Sequence, residues 1–381
     1  MKIVLPMGFS AVFFFILGAQ TSKEALNRAT VSEAAKLFGL EFTEAERDSM
    51  LSDLESNRTE YAALRSVDID NSIPPAQNFN PIPVGMKFDT KRSAAVVSPP
   101  QKTQAPENFE ALAFYSVRDL SELIRTRKIT SLQLTQMYLA RLKKYDPVLK
   151  CVITLTEDLA LQQAKRADAE IAAGKYRGLL HGIPYGAKDL LAVKGYKTTW
   201  GAMPYKDQVI DADATVVKKL EDAGAVLLAK LTLGALAWGD VWYGGKTRNP
   251  WNTEQGSSGS SAGPASATAA GLVAFSIGSE TWGSIVSPST RCGNTGLRPT
   301  YGRVSRTGAM ALSWTMDKLG PICRTVEDCA IVFNAIIGED SIDQTLIDVP
   351  FNYNYQIDMH KIRIGYVKSA FASEYENHDF D

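Results

Sequence analysis

The spacing of apolar side chains divides the chain into four stretches. The first is an apolar run from Ile3 to Ala19 that follows Lys2 and contains Phe13-Phe14-Phe15. It is short for a membrane span, Pro6 and Gly8 interrupt it, and Leu17-Gly18-Ala19 places small residues where a signal peptidase would cut before Gln20. A signal peptide over 1–19 is expected, and with it a periplasmic or secreted location; an uncleaved anchor is the alternative. Residues 20–66 read as a helical segment, with a capping box from Thr43 to Glu46 ahead of Met50, Leu51 and Leu54 at helical spacing. Residues 67–108 hold seven of the chain's 17 prolines and predict an extended linker.

The fourth stretch, 109–381, alternates in period. Ser116 caps a predicted helix carrying Leu120, Leu123 and Ile124, and a second runs from Ser131 to Lys144 with Leu134, Met137, Tyr138 and Leu142 on one face. Short aliphatic runs at Val152–Leu155, Ala225–Ala229 and Ile362–Val367 predict strands, and helical spacing at 156–173 and 213–223 lies among them. Such alternation predicts an α/β domain with a central sheet.

Composition narrows the chemistry. With 45% hydrophobic and 22% charged residues and a net charge of −1, the chain resembles ordinary globular proteins and offers no basic surface for nucleic acid or anionic membranes. Its three histidines (His181, His360, His378) and four cysteines match no metal-ligand spacing, so neither a metal nor another cofactor is expected.

One region is compositionally unusual. Residues 256–271 read GSSGSSAGPASATAAG. A flexible linker is the plain reading, but Asn249-Pro250-Trp251-Asn252 precedes it and the apolar run Leu272 to Phe275 follows at once. Glycine and serine here suggest backbone passing close to a ligand with hydroxyls nearby. Two familiar motifs come close. Gly239 to Thr247 approaches a phosphate-binding loop but has one residue too many between its glycines, and Pro250 opposes the helix that must follow. Gly259 to Gly263 satisfies G-x-S-x-G with Ser261 as nucleophile, but residues 252–258 are too polar for the buried strand that such an elbow needs.

Taken with HGIPYGAKDLL at 181–191, SETWGSIVSPSTRCGNTGLRPTYGRVS at 279–305 and SWTMDKLGPICRTVEDCAIVF at 313–333, the stretch resembles the amidase signature family of serine hydrolases over roughly residues 113–370. The resemblance implies an α/β/α fold with a large mixed sheet and a Ser-Ser-Lys triad. Lys188 would be the general base, Ser260 the bridging serine and Ser284 the nucleophile. Ser260, rather than Ser257, keeps the family's 24-residue distance to Ser284. The backbone N–H groups of Thr281, Trp282, Gly283 and Ser284 would form the oxyanion hole. The family's usual run is Asp-Thr-Gly-Gly-Ser-Ile-Arg, whereas Glu280, Trp282 and Val286 stand at three of its positions here. Trp282 is therefore expected to line the substrate pocket.

Such a triad is chemically coherent. A serine hydroxyl needs a base, and a lysine with a free pKa near 10.4 serves as one only when burial lowers that value. The apolar setting of Ile183 to Ala187 makes burial plausible; beside Asp189, a surface lysine would read the same way. The resemblance implies amide-bond hydrolysis through a covalent acyl-enzyme, with a small-molecule or peptide amide as substrate. A second copy of the chain is a candidate partner. A glutaminase subunit of a tRNA amidotransferase competes, since residues 24–68 weakly resemble the small third subunit of those complexes; export would argue against it. The family continues well beyond the segment matching Lys361 to Val367, whereas this chain stops at Asp381. A C-terminally incomplete, catalytically defective fragment is the third expectation.

Overall fold

A computed structural model describes residues 25–371 apart from 70–72, 74 and 78. The proposed signal peptide lies outside the described residues. The chain separates into two compact units, Met1–Asp70 and Asn71–Asp381.

The first unit is a pair of helices, α1 (Arg28–Leu37) and α2 (Glu44–Arg65). Asn27 caps α1 by accepting from Thr30 N, and Thr43 and Glu46 close a reciprocal capping box on α2. Arg28 pairs with Asp48 across the two helices. Only Val31 and Ala35 are buried among the described residues of this unit, while Met50, Leu51 and Leu54 are half-buried. Caps and local ion pairs carry a large part of what defines it.

The second unit is built on a six-stranded mixed sheet. Its strands are β1 (Val152–Leu155), β2 (Pro184–Lys188), β3 (Val226–Leu231), β4 (Phe275–Glu280), β5 (Thr295–Gly296) and β6 (Lys318–Cys323), in the spatial order β1-β3-β2-β4-β6-β5. β2 runs parallel to both neighbours, β3 and β4; the remaining pairings are antiparallel. Every residue of β2, β3 and β4 is buried, so the centre of the sheet is covered on both faces. Helices α3 (Val117–Arg125), α4 (Ser131–Leu149), α5 (Glu157–Ala172), α6 (Thr215–Asp222), α7 (Ala262–Ala269), α8 (Val286–Cys292) and α9 (Val326–Ile336) surround it.

Three expectations need correction. α4 continues past Lys144 to Leu149 and takes Pro147 into its last turn, because Lys150 closes it in the left-handed region and the Asp146 carboxylate accepts from Cys151 N and Val152 N at 2.8 Å each. Residues 362–367 form no strand. Ile364 is 80% exposed and Val367 67%, so burial contributes nothing to pairing there. Finally, the segment 67–108 is not a free linker along its whole length. Val96 N donates to Tyr353 O at 2.9 Å, Ser98 N donates to Glu327 at 2.8 Å, and Gln101 N and Lys102 N donate to Asp119 at 2.7 and 2.9 Å. Its extended backbone is satisfied by the domain that it crosses.

The later half of the Gly/Ser-rich run folds as α7, a helix of small residues packed into the sheet. Gly263 allows the approach. A Cβ there would stand 2.4 Å from Thr232 N and 2.5 Å from Cys151 O, both backbone atoms that cannot step aside. Gly263→Ala is expected to lower stability by about 2–3 kcal/mol, the cost of forcing volume into a close-packed contact. Urea denaturation should show a reduced midpoint with an unchanged slope; an unchanged midpoint would mean that α7 can shift away from β3.

Candidate active site

The parallel pair β2 and β4 brings two chemically active ends together. Tyr185 stands opposite Phe275 and Ala187 opposite Ile277, which sets Lys188 near Ser279 at the carboxyl ends of the strands. Open α/β sheets commonly present their sites at such ends. β2 was not evident in the sequence because Pro184 and Gly186 interrupt it. Gly186 is required by packing: a Cβ there would meet the Leu231 side chain at 2.3 Å.

Lys188 is completely buried. Its Nζ lies 2.8 Å from Ser260 Oγ, 2.9 Å from Ser279 Oγ, 3.1 Å from Ser261 Oγ and 3.3 Å from Ser279 O. No carboxylate pairs with it among the described residues. Burial therefore dominates and lowers its pKa to about 7, against the weaker opposing fields of Asp317 and Glu280. Asp189, the next residue, turns the other way. Its carboxylate takes the buried Lys230 ammonium at 2.7 Å and the Thr199 N–H and hydroxyl at 2.7 and 2.6 Å. The surface-lysine reading of Lys188 is thus excluded. Of two neighbouring buried lysines, one has a counter-ion and the other has only hydroxyls and a carbonyl.

Hydrogen-bond inventory fixes directions around that amine. The Ser261 hydroxyl donates to Ser279 O at 3.0 Å, so towards Lys188 it can only accept. A neutral amine has two N–H donors and one lone pair. With one N–H on Ser261 Oγ and the other on Ser279, the lone pair is left for the Ser260 hydroxyl. Protonated, the same nitrogen donates to all three serines. The site therefore accommodates both states without rearrangement. Sequence reading did not single out Ser279; it joins the site only through the pairing of β2 with β4.

Ser260 and Ser261 sit just before and at the N-cap of α7, and the Gly259–Ser260 peptide is cis. Gly278 makes room for Ser261, whose Oγ would lie 2.7 Å from a Cβ there. The elbow reading of Ser261 fails on this geometry: its hydroxyl is buried and committed, and the strand before it, Asn252–Gly256, is a largely exposed hairpin arm. The phosphate-loop reading of 239–247 fails as well, since that run forms the small hairpin Val241–Trp242 with Gly245–Lys246 and a second hairpin follows it.

Ser284 is half-buried and tied to the same cluster through its carbonyl, which accepts from Ser261 N at 3.0 Å. No hydrogen bond joins its hydroxyl to Ser260 among the described residues. The loop around it is held from several sides. Fully buried Glu280 accepts from Ile285 N and Val286 N at 2.8 and 3.0 Å, and from Arg298 at 3.0 Å. Thr281 donates its hydroxyl to Asp317. Trp282, Gly283 and Ser284 donate their N–H groups to no protein acceptor among the described residues. Trp282 lies outside the left-handed region, so it replaces glycine without backbone strain, and its side chain is 80% exposed.

Comparison with known proteins points to one family. Residues 133–379 match the Amidase family model. The chain is 42% identical over 263 residues to the A subunit of glutamyl-tRNA(Gln) amidotransferase from Methylococcus capsulatus, covering 68% of this chain and 54% of that one. Among solved structures it resembles native peptide amidase from Stenotrophomonas maltophilia, with TM-score 0.59 and 40% identity over 62% of this chain and 50% of that one. It also resembles the A subunit of glutamyl-tRNA(Gln) amidotransferase from Thermotoga maritima, with TM-score 0.56 and 32% identity over 64% of this chain and 50% of that one. The chain spans about half the length of the curated relatives that it matches. By its matched residues, its mixed sheet and these likenesses, the chain belongs to the amidase family.

Proposed function

We propose that this chain carries the catalytic core of an amide-bond hydrolase, with Ser284 as nucleophile, Ser260 as proton bridge and Lys188 as general base. The observation that carries the reading is the completely buried, carboxylate-free Lys188 with Ser260 Oγ 2.8 Å from its Nζ. An amine with a pKa near 7 is half neutral at physiological pH and suits proton transfer in both directions.

In the forward direction, Ser284 loses its proton to Ser260 as its oxygen attacks the amide carbon, and Ser260 passes its own proton to Lys188. The tetrahedral oxyanion meets the N–H groups of Trp282, Gly283 and Ser284. Lys188 then returns the proton through Ser260 to the leaving nitrogen, which departs as an amine or ammonia. Water, giving a proton through Ser260 to Lys188, attacks the acyl carbon; the intermediate expels the Ser284 oxygen, which takes that proton back through Ser260, and the acid is freed. The Thr281 N–H, which also meets no protein acceptor among the described residues, completes the proposed set, while its hydroxyl and carbonyl hold the loop.

The relatives named as glutamyl-tRNA(Gln) amidotransferase subunits favour a second reading, a glutaminase whose ammonia is passed on within a larger assembly. The two readings share the chemistry and differ in substrate. Release of ammonia from free glutamine supports the second, and release from peptide amides or small lipophilic amides supports the first.

Covalent labelling with a fluorophosphonate tests the triad directly. Ser284→Ala should abolish labelling and hydrolysis. Lys188→Ala should slow both by several orders of magnitude, since base and nucleophile act as a unit. Ser260→Ala should be nearly as severe. Ser257→Ala, whose hydroxyl donates to Ser258 O at 3.0 Å, and Ser261→Ala, which removes one acceptor from Lys188, should be milder. Loss of labelling in Ser261→Ala alone would transfer the nucleophile's role to that residue.

The labelling rate should rise with pH around a midpoint near 7, because the neutral amine is the active form. The Asp317 carboxylate favours the protonated amine, so Asp317→Asn should move the midpoint to lower pH. A midpoint that stays put, or moves up, would contradict this electrostatic account. We further propose that the Trp282 ring forms a wall beside Ser284. Trp282→Gly should broaden the range of acyl groups accepted in a panel of amides, and an unchanged profile would remove the ring from substrate choice.

A further inference from the structure

Lys318 begins β6 directly opposite Glu280, the last residue of β4. Its Nζ donates to the Thr281 carbonyl at 2.8 Å. Asp317 beside it receives the Thr281 hydroxyl and is itself fixed by Leu312 N and Ser313 N at 2.7 and 2.9 Å. These two residues grip the first residue of the loop that leads to Ser284.

In a trans peptide the C=O and the following N–H point in opposite directions. Drawing the Thr281 carbonyl towards Lys318 therefore turns the Trp282 N–H away from it. Two further planes are fixed in the same manner. Gly283 O accepts from Ser287 N at 2.8 Å, which turns the Ser284 N–H away from α8. Ser284 O accepts from Ser261 N, and the Ile285 N–H of that same plane goes to Glu280. Only the plane between Trp282 and Gly283 has neither atom bonded to protein among the described residues.

We infer that Lys318, with Asp317 holding the same Thr281, is a positioning residue for oxyanion stabilisation. It aims the Trp282 N–H, does not touch substrate, and acts through the Thr281 carbonyl. The inference rests on the proposed role of Ser284 and goes beyond it by assigning one side chain to the orientation of one donor. A charged donor suits the task because it holds a carbonyl more firmly than a neutral one.

The test is the kinetics of fluorophosphonate labelling on the full chain, separated into reagent binding and the bond-forming step, for wild type, Lys318→Met, Lys318→Arg and Lys318→Gln. Thermal unfolding of each variant is measured in parallel. Removing an oxyanion donor outright costs about 10²–10³ in rate, and a misdirected one should cost less, so Lys318→Met should slow the bond-forming step about 10-fold with reagent binding unchanged. Lys318→Arg should restore most of the loss, and Lys318→Gln should fall between. A methionine variant as fast as wild type, or an arginine variant as slow as methionine, overturns the inference and leaves Ser284 as nucleophile. Should Lys318→Met lose its cooperative unfolding, the arginine and glutamine variants decide alone, and equal rates overturn it. Wild-type protein that is not labelled at Ser284 overturns the site reading and this inference together.

Discussion

The whole site depends on burying Lys188 without a counter-ion. Moving the pKa from 10.5 to about 7 means that holding a proton on this nitrogen costs about 5 kcal/mol more than in water. Most buried lysines avoid that cost by pairing, as Lys230 does with Asp189 one strand away. At Lys188 the neighbours are hydroxyls and one carbonyl, which can hydrogen-bond to either protonation state but cannot neutralise a charge. The sheet enforces this. β2 is buried on both faces between β3 and β4, so the amine itself is held out of water. A residue that would ordinarily be a surface cation is thereby made available as a base.

The second constraint is backbone direction around Ser284. The loop from Thr281 to Ser284 is too short to form its own secondary structure, so its orientation comes from groups outside it. Glu280 caps the amides after it, Lys318 and Asp317 hold its first residue, and Ser261 and Ser287 hold its last two carbonyls. The donors left over are those of the residues in between. Glu280 in place of the family's usual aspartate still reaches the Ile285 and Val286 amides, so that departure from the family run leaves the anchoring intact. Trp282 in place of glycine changes the surface beside Ser284 and leaves the backbone unstrained.

How much of this could be read from the sequence varied with the kind of interaction involved. Val226–Leu231 was legible as a strand because its apolar run reflects burial on both faces. The caps at Thr43 and Ser116 were legible because capping is a local matter. Lys188, Ser260 and Ser284 were assigned through resemblance to family motifs, which encode spacing, and spacing cannot show that Lys188 lacks a carboxylate partner. β2 was hidden by Pro184, at its first position, and by Gly186, whose missing side chain leaves room for Leu231. Ser279, Asp317 and Lys318 were missed because their roles arise from strand register across β2, β4 and β6, which no local pattern reports. The converse error occurred at Ile362–Val367, where a short aliphatic run suggested a strand that has no burial to support it.

The decisive requirement is that Lys188 titrates near 7, leaving about half of it neutral at physiological pH. Its most direct test is an NMR titration of side-chain lysine resonances in protein carrying 13C- and 15N-labelled lysine, with Lys188 assigned by its loss in Lys188→Met. The account predicts a midpoint near 7 for this one resonance. A midpoint near the ordinary lysine value of about 10.4 would show that the site keeps its proton and would contradict the account.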